Sequence, residues 1–167
     1  LAADDTGYRL TVDRSDVDAT LFEQCLGEAV SVLPVAAIGM VDTALAMWRG
    51  PAFGDRAYVP LILGAARRLE ELRFNSLEER VVALLASGNA SMAVADATGL
   101  VAEHPRRERL WIALIDALVE VGRPADATRA AAQARAALAD AGLDAGPDLR
   151  HAEARALGIE SPARGGA

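Results

Sequence analysis

A chain of 167 residues with 52% apolar residues is long enough to bury a core as one domain and too apolar to be a disordered segment. Aromatics make up only 4%, and alanine supplies much of the apolar count, which favours closely packed helices over a β-sandwich. The formal net charge of -7 opposes a phosphate backbone, so direct nucleic-acid contact is excluded as an expectation.

All 17 basic residues are arginine, scattered among acids as on solvated helix faces rather than gathered into a phosphate site. Cys25 is the single cysteine, which rules out an internal disulfide and a cysteine-based zinc site. No apolar run reaches the roughly 18 residues of a membrane helix, and the start lacks a basic-then-apolar signal pattern. A cytoplasmic location and no membrane contact are therefore expected. The first residue is Leu1 rather than Met, as in a piece of a longer protein.

In chain order, "TGYRLTVDRSDVDA" alternates Tyr8, Leu10 and Val12 with polar neighbours, so residues 1–17 are read as an extended lead-in with a short strand. A first helix is expected over residues 18 to about 31, with Leu21, Phe22, Cys25, Leu26 and Ala29 on one side. Pro34 opens a second, carrying Ile38, Val41, Leu45 and Trp48, which stops at the loop "RGPAFGDRAY". A long helix over 59–86 follows, with an apolar stripe of Leu61, Ala65, Leu69, Leu72, Leu77, Val81 and Leu84. Arg67 precedes Glu71 by four residues and Glu70 precedes Arg73 by three, which places opposite charges side by side. Helices over 90–103, 106–121 and 125–141 come next, then one from 147 to about 157, and residues 158–167, which end in "ESPARGGA", read as a linker.

Gly88 and Gly122 end equivalent helices 34 residues apart (122 minus 88), the period of a tetratricopeptide hairpin. In that register Val81 matches Ile115, Ala83 matches Ala117, Leu84 matches Leu118, Ala93 matches Ala127 and Ala97 matches Ala131. Small residues belong where two helices cross, and Trp111 fills the wider end of its hairpin. The fold expected is all-α, a tetratricopeptide-like stack of about three helical hairpins with a C-terminal capping helix. At Ala131 the pattern usually carries a bulky side chain, and Thr128 replaces a common leucine. Either close helix packing or a shallow depression filled by a neighbour such as Leu149 is expected there.

Four stretches, "ALAMWRGPAF", "RLEELRFNSLEER", "EHPRRERLW" and "GLDAGPDLRHAE", occur in the order and separation found in the bacterial transcriptional activator domain of Streptomyces antibiotic regulatory protein type regulators. The resemblance covers residues 18–157. It implies a regulatory and oligomerising part of a transcription factor, with a winged-helix DNA-binding domain before it, of which "TGYRLTVD" resembles the last strand. The partners implied are a second copy of the chain and the neighbouring domains of the parent regulator.

Catalytic constellations are missing from the pattern. Only His104 and His151 could serve a nucleophile, and His104 stands before Pro105 at a helix end, where it suits terminal carbonyls. Asp140, Asp144 and Asp148 lack EF-hand spacing and are read as capping and turn residues. Glu70 and Glu71, like Glu78 and Glu79, point apart from one helix. Gly50 and Gly54 flank "PAF" without the Lys and Ser or Thr of a phosphate loop. No enzyme activity, cofactor or metal is expected. The remaining candidate is the concave wall of stacked hairpins, with Asn75, Glu78, Arg109, Ile112, Asp116 and Glu120 directed into it. Two further readings stay open: a tetratricopeptide adaptor that binds a peptide or partner helix, and a regulatory domain attached to a signalling enzyme.

Overall fold

The structure, a computed structural model, describes residues 2–4, 7–9, 11–29 and 31–159. Two units divide the chain, one up to Leu77 and one from Glu78. Each is taken by itself below.

The first unit begins with a short antiparallel hairpin of β1 (Ala2–Asp4) and β2 (Gly7–Arg9), in which Ala2 faces Arg9 and Asp4 faces Gly7. The short strand expected around Tyr8 is β2, which pairs with β1. Val12, expected to continue the alternation, lies outside the strand and is exposed, and Leu10 lies outside the described residues. Asp13 explains the end of the extended stretch: its carboxylate accepts from the Ser15 N–H and hydroxyl at 3.0 and 2.8 Å and closes a 3-10 turn, Arg14–Asp16.

Helix α1 (Asp18–Ala29) buries Phe22 and Ala29, and α2 (Pro34–Ala46) buries Val41 and Ala44 against it. Pro34 is tolerated in the first turn because its missing N–H has no partner there. Trp48 falls two residues beyond α2, not on it as expected, yet still meets Phe22 edge-on with ring centroids 5.4 Å apart. The segment after it is more structured than a plain loop: it holds a 3-10 turn, Gly54–Arg56, and packs Ala52 into a cluster with Phe22, Ala44, Ala66 and Leu69.

Helix α3 (Pro60–Ala86) overhangs this cluster with its first turn, so Leu61 is 91% exposed, and Ala66 rather than Ala65 takes the inward position. Phe74, Ser76 and Glu78 are also buried, two residues apart, which a single stripe at three- and four-residue spacing omits.

In the second unit, α4 (Ala90–Glu103), α5 (Glu108–Glu120) and α6 (Pro124–Asp140) pack successively, and α7 (Pro147–Ala156) covers α5 and α6. The 34-residue register is visible in the backbone. Gly88 and Gly122 take left-handed φ values of 76° and 74°, and the next residue's N–H reaches back to Leu84 O and Leu118 O at 2.8 Å in both cases. That is the Schellman closure, which glycine enters without a Cβ clash. Ala93, Ala97, Ala127, Ala130, Ala131 and Ala134 are all at most 3% exposed, so α4 and α6 are built for close approach. Ala131 is 1% exposed and faces no opening to solvent; Leu149 of α7 is buried to the same degree. Trp111 is buried and donates its indole N–H to Pro105 O at 2.9 Å.

Beyond the short β1–β2 hairpin the fold is therefore all-α and tetratricopeptide-like, with α7 as the capping helix. Among the described residues, no helix is long and apolar enough to cross a membrane.

Candidate interaction surface

Helix α5 buries Leu110, Trp111, Ala113, Leu114, Ile115, Ala117 and Leu118, a majority of its length. Of the residues left over, Arg109, Ile112, Asp116 and Glu120 recur at three- and four-residue spacing and so form one stripe. Helix α7 presents Asp148, His151 and Arg155 at spacings of three and four, also one stripe. The two stripes meet in an open cleft of about 760 Å³, with Glu108, Arg109 and Ile112 on one wall and Asp148, His151 and Arg155 on the other.

Polar contacts fix the cleft. The Arg155 guanidinium donates from Nε and Nη2 to Asp116 Oδ1 at 3.0 and 2.6 Å. Arg135 of α6 pairs with Glu153 of α7 at 2.8 Å. Before α7, the Gly146 N–H donates to Glu108 Oε2 at 3.2 Å, and a Cβ on Gly146 would stand 2.5 Å from Glu108 Oε1. A side chain at position 146 would therefore make the Glu108 carboxylate move away from this N–H. Arg109 pairs with Glu79 of α3 at 2.6 Å, with both side chains about half exposed.

Of the six residues expected on a common wall, Arg109 and Ile112 line the cleft, and Asp116 adjoins it through Arg155. Glu120 is exposed at the far end of the stripe. Glu78 is 6% exposed, buried in the second unit rather than presented on its surface. Asn75 is exposed and belongs to the first unit. The α7 side of the cleft, Asp148, His151 and Arg155, is not among those six residues. Asp148, expected as a capping residue, and His151 share one face of α7 with Arg155 through spacings of three and four, and that periodicity is the signal that links them.

Chemically the cleft is a mixed-charge surface around one aliphatic side chain. His104, the other histidine, caps α4, with its backbone N–H donating to Leu100 O at 2.8 Å. No group of three or more His, Cys, Asp or Glu residues that could hold a metal occurs among the described residues.

Residues 17–157 match the family described as Bacterial transcriptional activator domain. The chain is 35% identical to the transcriptional regulator RedD of Streptomyces coelicolor over 155 residues, covering 90% of this chain and 44% of RedD. It is 33% identical to the transcriptional regulatory protein EmbR of Mycobacterium tuberculosis over 165 residues, covering 94% of this chain and 42% of EmbR. A solved structure of Mycobacterium tuberculosis EmbR in complex with a low affinity phosphopeptide superimposes with a TM-score of 0.85 at 32% identity, over 96% of this chain and 44% of that one. The chain thus spans less than half the length of these relatives.

Proposed function

This chain belongs to the bacterial transcriptional activator domain family, and from that premise we propose that it is the regulatory, oligomerising and protein-contacting part of a transcriptional regulator, without enzyme activity and without DNA contact of its own. The observation that carries the reading is the extent of the match: residues 17–157 hold every helix from α1 to α7, and the regulators they match are more than twice as long as the matched part. The net charge of -7 supports leaving DNA contact to another part of such a regulator. In this reading residues 1–17 connect a preceding winged-helix domain, 18–157 form the module, and 158–167 lead onward in a cytoplasmic protein.

The partners are a second copy of the chain and the neighbouring domains of the same regulator. The phosphopeptide bound by EmbR supports a protein segment as the kind of ligand such a regulator takes. The α5–α7 cleft is the contact surface in this proposal, with Arg109 and Ile112 exposed enough to be reached and Asp116 holding α7 in place. Glu120 continues the α5 stripe of that surface, whereas Glu78, which is buried, and Asn75, which belongs to the first unit, are not assigned to it.

Light scattering on the 167-residue chain over a hundredfold concentration range tests self-association. A dimer that Ile112→Asp weakens at least tenfold is expected. A monomer at the highest concentration overturns the oligomer reading. Gel-shift with duplex DNA at low salt should show no retention, and retention overturns the absence of DNA contact.

A further inference from the structure

The segment after α2, "WRGPAF", belongs to none of the surfaces above, yet it builds a second concavity of about 570 Å³ inside the first unit. That size lies in the range of small-molecule sites. Phe22, Met47, Trp48, Phe53 and Leu69 make it largely apolar, and three of these are aromatic. At its mouth Asp18 and Arg49 pair at 3.1 Å, with side chains 63% and 85% exposed.

Phe53 is the informative residue. The Gly54 N–H donates to Pro51 O at 2.9 Å and closes a turn whose third residue is Phe53, at φ 61° and ψ 6°. That is the position of a type II turn that normally takes glycine, because a Cβ is strained there. A hydrophobic ring placed at such a cost usually fills the core, yet Phe53 is 48% exposed. The structure therefore carries backbone strain and a half-wetted ring at one residue, and a flat apolar ligand over the ring would remove the second of these.

The wall is fixed in place. The Ala52 N–H donates to Glu70 Oε1 at 2.7 Å and ties the turn to α3. Glu70 also pairs with Arg73 at 3.8 Å, and the Arg73 guanidinium lies 4.8 Å from the centre of the Trp48 ring. Trp48 in turn stands edge-on to Phe22. These contacts fix Trp48 and the turn that carries Phe53 before anything binds, which is what a preformed site requires.

We propose that this pocket binds a small, flat, uncharged aromatic molecule of two or more fused rings with one hydroxyl or amide group. The rings stack against Trp48 and Phe53, with Phe22 behind Trp48 as its buried support. The polar group stands at the mouth, where it donates to Asp18 and accepts from Arg49. The proposal is independent of the self-association reading and of the α5–α7 cleft.

The test uses 2-naphthol, with naphthalene for comparison, titrated into the 167-residue chain and followed by the two tryptophan indole N–H signals in proton-nitrogen NMR. Trp48 is expected to shift with 1:1 saturation while Trp111, in the second unit, stays fixed, and naphthalene should bind several-fold more weakly. Phe53→Gly should weaken 2-naphthol at least tenfold with Tm equal to or above that of the unaltered chain, since glycine relieves the turn. No saturable shift of Trp48, equal shifts of both tryptophans, or unchanged affinity in Phe53→Gly overturns the proposal; so does a site that takes only a Phe- or Trp-containing peptide. Should Phe53→Gly fold poorly, Arg49→Leu at its exposed position decides: it removes the donor but leaves Asp18, so it should reduce the preference for 2-naphthol over naphthalene several-fold, and a preference left intact overturns the assignment.

Discussion

Arg155 of α7 and Asp116 of α5 are joined by two hydrogen bonds to one carboxylate oxygen, at 3.0 and 2.6 Å, with side chains 28% and 34% exposed. This partly shielded pair adds a directed contact to a capping helix whose buried side chains are only Leu149, Ala152 and Ala156. Asp116→Ala and Arg155→Ala should each lower stability by about 1–2 kcal/mol, within the range for hydrogen bonds to charged groups. Urea denaturation of both single variants and the double variant measures their coupling. A coupling below about 0.3 kcal/mol would place the pair with ordinary surface ion pairs.

Gly146 and Glu108 supply the second attachment of α7. Its φ of -70° is open to any residue, so the need for glycine is steric and local. Gly146→Ala drives its Cβ into Glu108 Oε1 and should displace that carboxylate from the Gly146 N–H. The expected loss is about 0.5–1.5 kcal/mol, one hydrogen bond. In a Glu108→Ala background the same substitution should become neutral or stabilising. If Gly146→Ala costs the same in both backgrounds, Glu108 is not the reason for the glycine.

The helical hairpins were legible because their signals are local. The glycines at 88 and 122 and the alanines at 93, 97, 127 and 131 are set by backbone closure and helix crossing, which repeat with the sequence. The surfaces were less legible because they depend on which residues meet from distant elements. Ile112 and Arg109 were found from α5 alone, but Asp148, His151 and Arg155 join them only once α7 lies across α5. Glu78 was misplaced for the same reason: an acid on a helix reads as outward-facing, and nothing local to it announces burial. The pocket at Phe53 was hidden differently. Its glycines and proline mark a turn, but only the backbone angles disclose a phenylalanine where the turn favours glycine.

At Ala131 the family pattern has a bulky residue, and here the alanine is buried, 1% exposed. With Ala127, Ala130 and Ala134 buried beside it on α6, a larger side chain has to move α7 or the hairpin itself. Ala131→Tyr should destabilise the chain by about 1–3 kcal/mol, the usual cost of overpacking. Thr128→Leu, at an exposed position three residues earlier, should change it by less than about 0.5 kcal/mol. Thermal or urea denaturation of the two variants checks the contrast, and a tyrosine tolerated without loss would mean that a covered depression adjoins Ala131.

Asp126 opens α6 between two arginines, with Oδ2 accepting from Arg123 Nε and Oδ1 from Arg129 Nη1, each at 2.7 Å. The Arg123 hydrogen bond, supported by the charges of both arginines against a smaller desolvation effect, lowers its pKa below the ordinary 3.8. A carboxylate depressed in the folded state contributes its stability fully above the ordinary value and loses it as pH falls through the lower, folded value. Carbon-detected NMR titration of the Asp126 carboxyl should therefore give a midpoint below that of a free aspartate. Arg123→Gln should move the midpoint upward, and more than Arg129→Gln does, because Arg123 supplies the largest effect. A midpoint at the free value in the unaltered chain, or equal shifts in the two variants, would remove Arg123 as the dominant partner.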